Sequence, residues 1–226
     1  PIQATDPDNE NIPAPNPNKQ TLEYSITGGN DKGLFAVDPS SGQVYVAGAP
    51  INFEEQDTYS LQYTVTDNGS AAGGATGTAA KAYKNLQTTV DFIITILDKN
   101  EAPVMTDRTG NLALAVAEGS PVGTKIGAPV TGEDEDNKVI SADGIQKLTY
   151  SFVSGNDASM FAIDASTAQL TVADMENLNF ESKPEYSIRI RATDDGDPSL
   201  HGECDITIKV GDENERPTIN NATFAI

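Results

Sequence analysis

The sequence contains one pattern written twice, and this internal repeat constrains the fold more than any other feature. The segment YSITGGNDKGLFAVDPSSGQVYVA begins at Tyr24, and YSFVSGNDASMFAIDASTAQLTVA begins 126 residues later at Tyr150. An acidic linker, DKNEAP at 98–103, returns as DENERP at 212–217. Because the period exceeds the length of any short solenoid unit, the repeat predicts tandem whole domains.

The repeat also sets the expected domain boundaries. We predict a repeat that lacks its first strand at residues 1–100, a complete repeat at 104–214, and a linker with the first strand of a following repeat at 215–226. Only the second copy has an apolar alternating segment, Leu112–Ala117, well ahead of its acidic D-x-D motif. The Ala/Gly/Thr-rich segment 70–84 lengthens the first copy, and we expect it to form a surface loop.

Apolar residues alternate with polar or small ones along most of the chain. One such run contains Tyr59, Leu61, Tyr63 and Val65, and clusters of Gly, Asn, Asp and Pro separate the runs. No segment has a helical period. The pattern predicts an all-β chain in which each repeat forms an antiparallel β-sandwich.

Composition narrows the classes of partner. The chain has 14 basic and 34 acidic residues and a net charge of −20, which disfavours nucleic acid and anionic membranes. The single cysteine, Cys204, excludes an internal disulfide, and its place in an alternating run predicts a buried thiol. No apolar run is long enough to cross a bilayer and no signal peptide is recognisable, so such segments are expected outside these residues.

Acidic and amide side chains recur outside the predicted strands at matching points of both copies. They are Asp6, Asp8, Glu54, Asp67, Asp98, Asn100 and Glu101 in the first copy, and Asp134, Asp136, Glu181, Asp194, Asp212, Asn214 and Glu215 in the second. Loops gather at the ends of a sandwich, and the linker prolines favour extended chain, so a linker and the next domain's loops are expected to converge. At the central boundary six carboxylates are expected to meet: Glu54, Asp98, Glu101, Asp134, Asp136 and Asp194.

Such a cluster needs a counter-ion, because two like charges about 4 Å apart repel by roughly 1 kcal/mol even in water. Calcium suits it best, since this ion takes six to eight oxygen ligands in flexible geometry, whereas magnesium requires a stricter octahedron. Zinc is disfavoured because the chain has one His and one Cys. An EF-hand loop starting at either D-x-D motif would end on Pro17 or Ile145 where a glutamate is required, so that interpretation fails.

The order of motifs resembles tandem cadherin repeats. The motifs are A-E-G-x-P-x-G-T from Ala117 to Thr124, D-x-D, Y-S-I/F, F-A-V/I-D, N-F-E, T-D-D-G-D-P and D-x-N-E-x-P, and they span nearly all of both copies. The resemblance implies seven-stranded Greek-key sandwiches with calcium ions at each boundary, which lock successive domains into a stiff rod.

The resemblance also implies a ligand set for each boundary. The central boundary would use Glu54, Asp98, Asn100, Glu101, Asp134, Asp136 and Asp194, with Asn52 in the position of a usual carboxylate and Asn156 offering its backbone carbonyl. The following boundary would use Glu118, Glu181, Asp212, Asn214 and Glu215, and the preceding one Asp6, Asp8 and Asp67. The amide at Asn52 and the shorter linker leave the ion held by Asn100, Asp134, Asp136 and Asp194 best supported.

These features predict a calcium-dependent adhesive or structural ectodomain at the cell surface. Its expected partners are calcium, adjacent repeats and another cell-surface protein, bound through homophilic or heterophilic contact. A microbial or matrix module that binds carbohydrate is the alternative, although the chain has no Trp and most Tyr and Phe fall at core-facing positions. No enzymatic activity is predicted, because an active site has no reason to be duplicated and the only histidine, His201, is expected to lie in a turn.

Overall fold

The structure is a computed structural model of the chain. It describes residues 2–10, 20–69, 84–105, 112–138, 145–217 and 219. The chain forms two compact units, Pro1–Asp98 and Lys99–Ile226. Apart from two 3-10 turns, Pro7–Asn9 and Asp136–Lys138, these residues form only strands and loops. No helix within the described ranges is long and apolar enough to cross a bilayer.

The first unit is built on a three-stranded antiparallel sheet and a hairpin. Its strands are β1 (Leu22–Gly28), β2 (Phe35–Val37), β3 (Val44–Val46), β4 (Thr58–Asp67) and β5 (Gln87–Thr95). The sheet has the order β1-β4-β5, and β2 pairs with β3. Alternation along β4 turns Tyr59, Leu61 and Tyr63 inward, where each is at most 7% exposed. The rings of Phe35 and Tyr59 meet edge to face at 5.2 Å, so the hairpin and the sheet share one core.

The second unit contains the same elements and additional short strands. Its strands are β6 (Val104–Met105), β7 (Leu112–Ala117), β8 (Lys125–Ile126), β9 (Gly132–Glu133), β10 (Thr149–Ser154), β11 (Phe161–Ile163), β12 (Leu170–Val172), β13 (Glu185–Thr193) and β14 (His201–Gly211). One sheet has the order β10-β13-β14-β7, a second has the order β11-β12-β8, and β6 pairs with β9. The strand predicted at Leu112–Ala117 is confirmed as β7.

The two larger sheets of the second unit enclose a single hydrophobic core. Ile188, Ile190 and Ile206 from one sheet are in the same buried cluster as Leu170 from the other, and none of them exceeds 1% exposure. The predicted β-sandwich is therefore confirmed. Cys204 is buried in this core at 6% exposure, as its alternating run predicts.

The outer edge of the last long strand distinguishes the units. In the second unit β7 runs parallel to β14, with Leu114 opposite Ile208. Among the described residues of the first unit, β5 pairs only with β4. Val90 in β5 is 47% exposed, whereas Cys204, at the matching position of β14, is 6% exposed.

Two predicted features lie almost entirely outside the described residues. The surface loop predicted at 70–84 is described only at Lys84. The strand predicted within 215–226 is described only up to Pro217 and at Ile219.

Candidate metal centre

The D-x-D motif of the second unit buries two carboxylates next to each other. Asp134 and Asp136 are 3% and 5% exposed, and the backbone N–H of Asp136 donates to Asp134 Oδ1 at 3.1 Å. Asp134 Oδ2 and Asp136 Oδ1 are also buried, and neither has a hydrogen-bond partner among the described residues. A buried carboxylate oxygen without a donor is costly, so each of these two oxygens would be stabilised by a positively charged partner.

Strand pairing brings a third carboxylate to this motif. Asp194 follows β13, whose last residue Thr193 pairs with Thr149 at the start of β10. Asp194 is 4% exposed, and its Oδ1 accepts from the backbone N–H groups of Gly196 at 3.2 Å and Leu200 at 2.8 Å. These bonds fix the carboxyl in one orientation.

The linker residues of this unit contact the same carboxylates. Asn100 Nδ2 donates to Asp194 Oδ2 at 3.4 Å and to the carbonyl of Pro198 at 2.8 Å. The backbone N–H of Glu101 donates to Asp136 Oδ2 at 3.3 Å. The structure thus brings Asn100, Asp136 and Asp194 together, as the sequence predicts.

Burial changes the pKa of Asp134. The pKa of Asp134 is raised from 3.8 to about 6, chiefly because burial disfavours the charged carboxylate and further because Asp136 and Asp194 repel a third charge. A bound divalent cation would oppose this shift, because it favours the ionised form.

A glutamine that the sequence interpretation did not include lies in the same cluster. Gln146 Nε2 donates to Asp136 Oδ2 at 2.8 Å and to Asn100 Oδ1 at 2.5 Å. A sequence signal for it exists, because a glutamine stands four residues before the tyrosine in both copies, as Gln20 before Tyr24 and Gln146 before Tyr150.

A second acidic cluster lies in the same unit. Glu118, Glu181, Asp212 and Glu215 each place one carboxylate oxygen within 4.8 Å of the others. Glu118 Oε2 accepts from the backbone N–H of Phe180 at 2.9 Å, and its Oε1 accepts from that of Glu213 at 2.7 Å. Asn214, the remaining predicted ligand of this boundary, is exposed in the same linker.

Opposite pKa shifts occur within this second cluster. The backbone N–H groups of Glu213 and Phe180 lower the pKa of Glu118, because they stabilise its carboxylate. The pKa of Glu215 is raised by desolvation and then by the charges of Glu118 and Glu181. The four acids therefore form an electrostatically strained group that a divalent cation would relieve.

The first unit repeats part of the central arrangement. Asp6, Asp8 and Asp67 line one cavity. The backbone N–H of Asp8 donates to Asp6 Oδ1 at 2.8 Å, as Asp136 does to Asp134. Asp67 accepts from the backbone N–H groups of Gly69 at 2.7 Å and Leu86 at 3.1 Å.

The N-F-E segment of this unit forms a turn. Asn52 Oδ1 accepts from the backbone N–H of Glu54 at 2.8 Å, and Asn52 therefore serves as a turn residue. Asp98 is exposed in the segment that follows β5. The places of Asn52, Glu54 and Asp98 in a calcium site stay predictions from the sequence.

The structure does not bring Asn156 to the central cluster. Asn156 follows the far end of β10, about 17 Å from the Thr149 end at roughly 3.3 Å per residue. Its side chain closes the turn to β11, with Oδ1 accepting from Phe161 N at 3.1 Å and Nδ2 donating to Phe161 O at 2.8 Å. Asn30 makes the same pair of bonds to Phe35, so this residue has a structural role in both copies.

Comparison with known proteins agrees with the repeat and the sandwich. The family model of the cadherin domain matches residues 1–97 and again residues 113–211. The chain belongs to the cadherin family. It consists of two tandem cadherin domains, and cadherin domains are adhesion modules without enzymatic activity, so the prediction of a non-enzyme is confirmed.

The most similar relatives include non-classical cadherins. Mouse Protocadherin Fat 2 is 33% identical over 202 residues, covering 89% of this chain and 4% of the relative. Mouse Cadherin EGF LAG seven-pass G-type receptor 2 is 30% identical, covering 96% and 7%. The crystal structure of mouse Cadherin-23 EC22-24 has a TM-score of 0.58 and 25% identity, covering 88% of this chain and 55% of that one. The chain therefore spans a small part of these two curated relatives.

Proposed function

We propose that this chain is part of a calcium-dependent adhesive or structural ectodomain that works outside the cell. The observation that supports this most strongly is the pair of buried, unpartnered carboxylate oxygens on Asp134 and Asp136. The donor set around them consists of carboxylate and amide oxygens, which calcium prefers, and no described histidine or cysteine side chain belongs to it. The residues therefore fit a calcium ion.

Calcium would be held in the second unit by side chains that the fold already orients. Asp134, Asp136, Asp194 and Asn100 form one proposed ligand set. Glu118, Glu181, Asp212 and Glu215 form another, for which Asn214 is the neighbouring amide. Asn52, Glu54, Asp98 and Glu101 complete the central set as the sequence predicts, and Asp6, Asp8 and Asp67 serve the preceding boundary. When bound, calcium neutralises acids that otherwise repel one another.

The functional consequence that we propose is mechanical. Calcium at a linker would hold successive cadherin domains in one orientation and so present a recognition surface to a protein on another cell. Support for an extracellular cell-surface role comes from family membership and from relatives that are protocadherins and a seven-pass receptor. The structure gives the carbohydrate-binding alternative little support, because aromatic side chains that could contact a sugar are buried. They are Tyr59, Tyr63, Tyr150 and Tyr186.

Calcium removal tests the proposed function. Titration calorimetry on the intact chain should record calcium binding that magnesium at the same concentration does not match. Small-angle scattering should then show a change in maximum dimension when a chelator replaces millimolar calcium. Absence of binding heat would reject the calcium sites, whereas binding without a change in scattering would reject only the mechanical role.

Replacing Gly196 with alanine should weaken calcium binding by about tenfold, which corresponds to roughly 1.4 kcal/mol. A Cβ atom at Gly196 would lie within 2.5 Å of Asn100 Cγ and still closer to its Oδ1, so Asn100 must leave its position. Calorimetry on Gly196→Ala measures the effect. Gly211→Ala is the matched control, because its added Cβ would have no neighbour closer than 3.8 Å. Equal calcium affinities for the two variants would contradict the prediction.

A further inference from the structure

The side-chain amide of Gln146 contacts the acidic cluster through its nitrogen, and its oxygen is buried. Its Nε2 donates to Asp136 Oδ2 and Asn100 Oδ1, but its Oε1 has no hydrogen-bond partner among the described residues. An amide oxygen buried without a donor costs about 1–3 kcal/mol. If Gln146 served only as a hydrogen-bond donor, the contacts of its Nε2 would be explained. The burial of its Oε1 without a partner would not.

The first unit contains the same arrangement at its own D-x-D motif. Gln20 Nε2 donates to Asp8 Oδ2 at 3.3 Å, and Gln20 Oε1 is likewise buried without a partner in the described part of the chain. Asp6 Oδ2 repeats the unpartnered state of Asp134 Oδ2. The first unit thus repeats two of the three unpartnered oxygens of the second, those of the first aspartate and of the glutamine.

An asparagine next to each D-x-D motif fixes the backbone of the glutamine. Asn137 Nδ2 donates to the carbonyl of Gln146 at 3.0 Å, and Gln146 N donates back to Asn137 Oδ1 at 2.5 Å. Asn9 makes the same two bonds to Gln20, at 2.9 and 2.7 Å. The separation along the chain is 9 residues in one copy and 11 in the other, so the pairing holds the glutamine beside the acids despite unequal loops.

The unsatisfied atoms around Gln146 are all oxygens. Asp134 Oδ2, Asp136 Oδ1 and Gln146 Oε1 are acceptors, and a cation can satisfy several acceptors at once. Calcium binds side-chain amide oxygens as well as carboxylates. A half-turn of the terminal amide exchanges its oxygen and nitrogen in place, so either face of Gln146 can offer an oxygen to the cluster.

We propose that Gln146, and Gln20 at the corresponding place in the first unit, each donate a side-chain oxygen to calcium. This inference rests on the proposed function, because it adds a ligand to the calcium site formed by Asp134, Asp136 and Asp194. The glutamine contributes a neutral oxygen from the residues that precede β10 and β1. It thereby connects the ion to the start of a core strand in each domain.

Two substitutions at Gln146 separate a ligand from a hydrogen-bond donor. Gln146→Leu removes the oxygen and the donors, so calcium affinity should fall about five- to tenfold. Gln146→Glu keeps an oxygen, adds a negative charge and loses the donors, so affinity should rise several-fold if the side chain binds calcium. If Gln146 only donates to Asp136, the glutamate variant should instead lose affinity, and that result would overturn the proposal.

Controls separate this inference from the proposed function. Gln169→Leu is the matched control, because Gln169 Nε2 donates to the carbonyls of Gly127 and Leu170, away from the acids. Thermal unfolding in chelator checks that each variant folds. No calcium heat for the unmodified chain would reject the proposed function itself, whereas normal heat with unchanged affinity in Gln146→Leu would reject only the glutamine ligand. A crystal structure with calcium should place Gln146 Oε1 about 2.3–2.6 Å from the ion.

Discussion

Replacing Asp134 with asparagine should stabilise the protein in chelator and remove most of the stabilisation that calcium provides. In chelator the substitution removes a buried charge whose pKa is raised from 3.8 to about 6, a shift worth on the order of 3 kcal/mol. With calcium at a hundred times its dissociation constant, the unmodified site gains about 2.7 kcal/mol, and the variant loses a ligand for that ion. The advantage of the variant in chelator should therefore largely disappear in calcium.

The pH dependence of stability follows from the same shift. The folded state holds a proton on Asp134 at pH values where the unfolded chain, with a pKa near 3.8, has already lost it. In chelator the free energy of unfolding should therefore rise as the pH falls from 7 through about 6 towards 4. Asp134→Asn should lack this contribution, because an amide does not titrate in this range.

Denaturant unfolding of both proteins, in calcium and in chelator, measures these effects. Asp157→Asn is the matched control, because Asp157 is an exposed aspartate in the turn at the other end of β10. The control should behave like the unmodified chain in both buffers. An undiminished calcium effect in Asp134→Asn would remove Asp134 from the ligand set.

Replacing Gly155 with alanine should destabilise the second domain by about 3 kcal/mol or more. Gly155 has φ +85°, and an added Cβ would lie 2.0 Å from the carbonyl oxygen of Ser187 and 2.9 Å from Ile188 Cα. Both contacts are with the backbone of β13, so the sheet must move to admit a methyl group. The irregular register between Phe152 and Ser154, just before the glycine, leaves this end of β10 close to β13.

The first domain offers an independent copy of this experiment. Gly29 has φ +75°, and its added Cβ would lie 2.0 Å from the carbonyl oxygen of Ser60, so Gly29→Ala should be equally damaging. Gly123→Ala is the control, because Gly123 has φ +87° and no atom within 4 Å of an added Cβ, which leaves a conformational cost of about 1–2 kcal/mol. Denaturant unfolding measures the free energy of unfolding of each variant. If Gly123→Ala and Gly155→Ala lost similar amounts, the backbone clash at Gly155 would be unimportant.

Much of the fold and of the central site was predictable because its signals are local and occur twice. Alternation identifies which side of β4 and β13 faces the core, and the structure buries Leu61 and Ile190 accordingly. The D-x-D motif and the strand-end aspartate could be selected because each stands at the same point of both copies. Glu181, Asp212 and Glu215 recur in the same way, Glu118 is added by the family resemblance, and the structure gathers the four carboxylates.

The position of Asn156 and the role of Gln146 required the tertiary structure. Motif similarity does not state at which end of a strand a turn residue lies, and the pairing of Thr149 with Thr193 places Asn156 away from Asp194. Gln146 was overlooked because glutamine carries no charge, although the repeat contains its signal. Only the folded chain shows that its amide nitrogen contacts Asp136 while its amide oxygen is buried without a donor.

The sequence by itself determined the tandem domains, the all-β class, the strands that face a core and the acids that recur outside them, since each depends on residue type and spacing along the chain. The tertiary structure decided which polar atoms meet, which of them lack a partner and which strand edges are covered. Val90 and Cys204 occupy matching positions in the two copies, yet their exposures are 47% and 6%. Burial depends on neighbours from distant parts of the chain, and local spacing does not encode those neighbours.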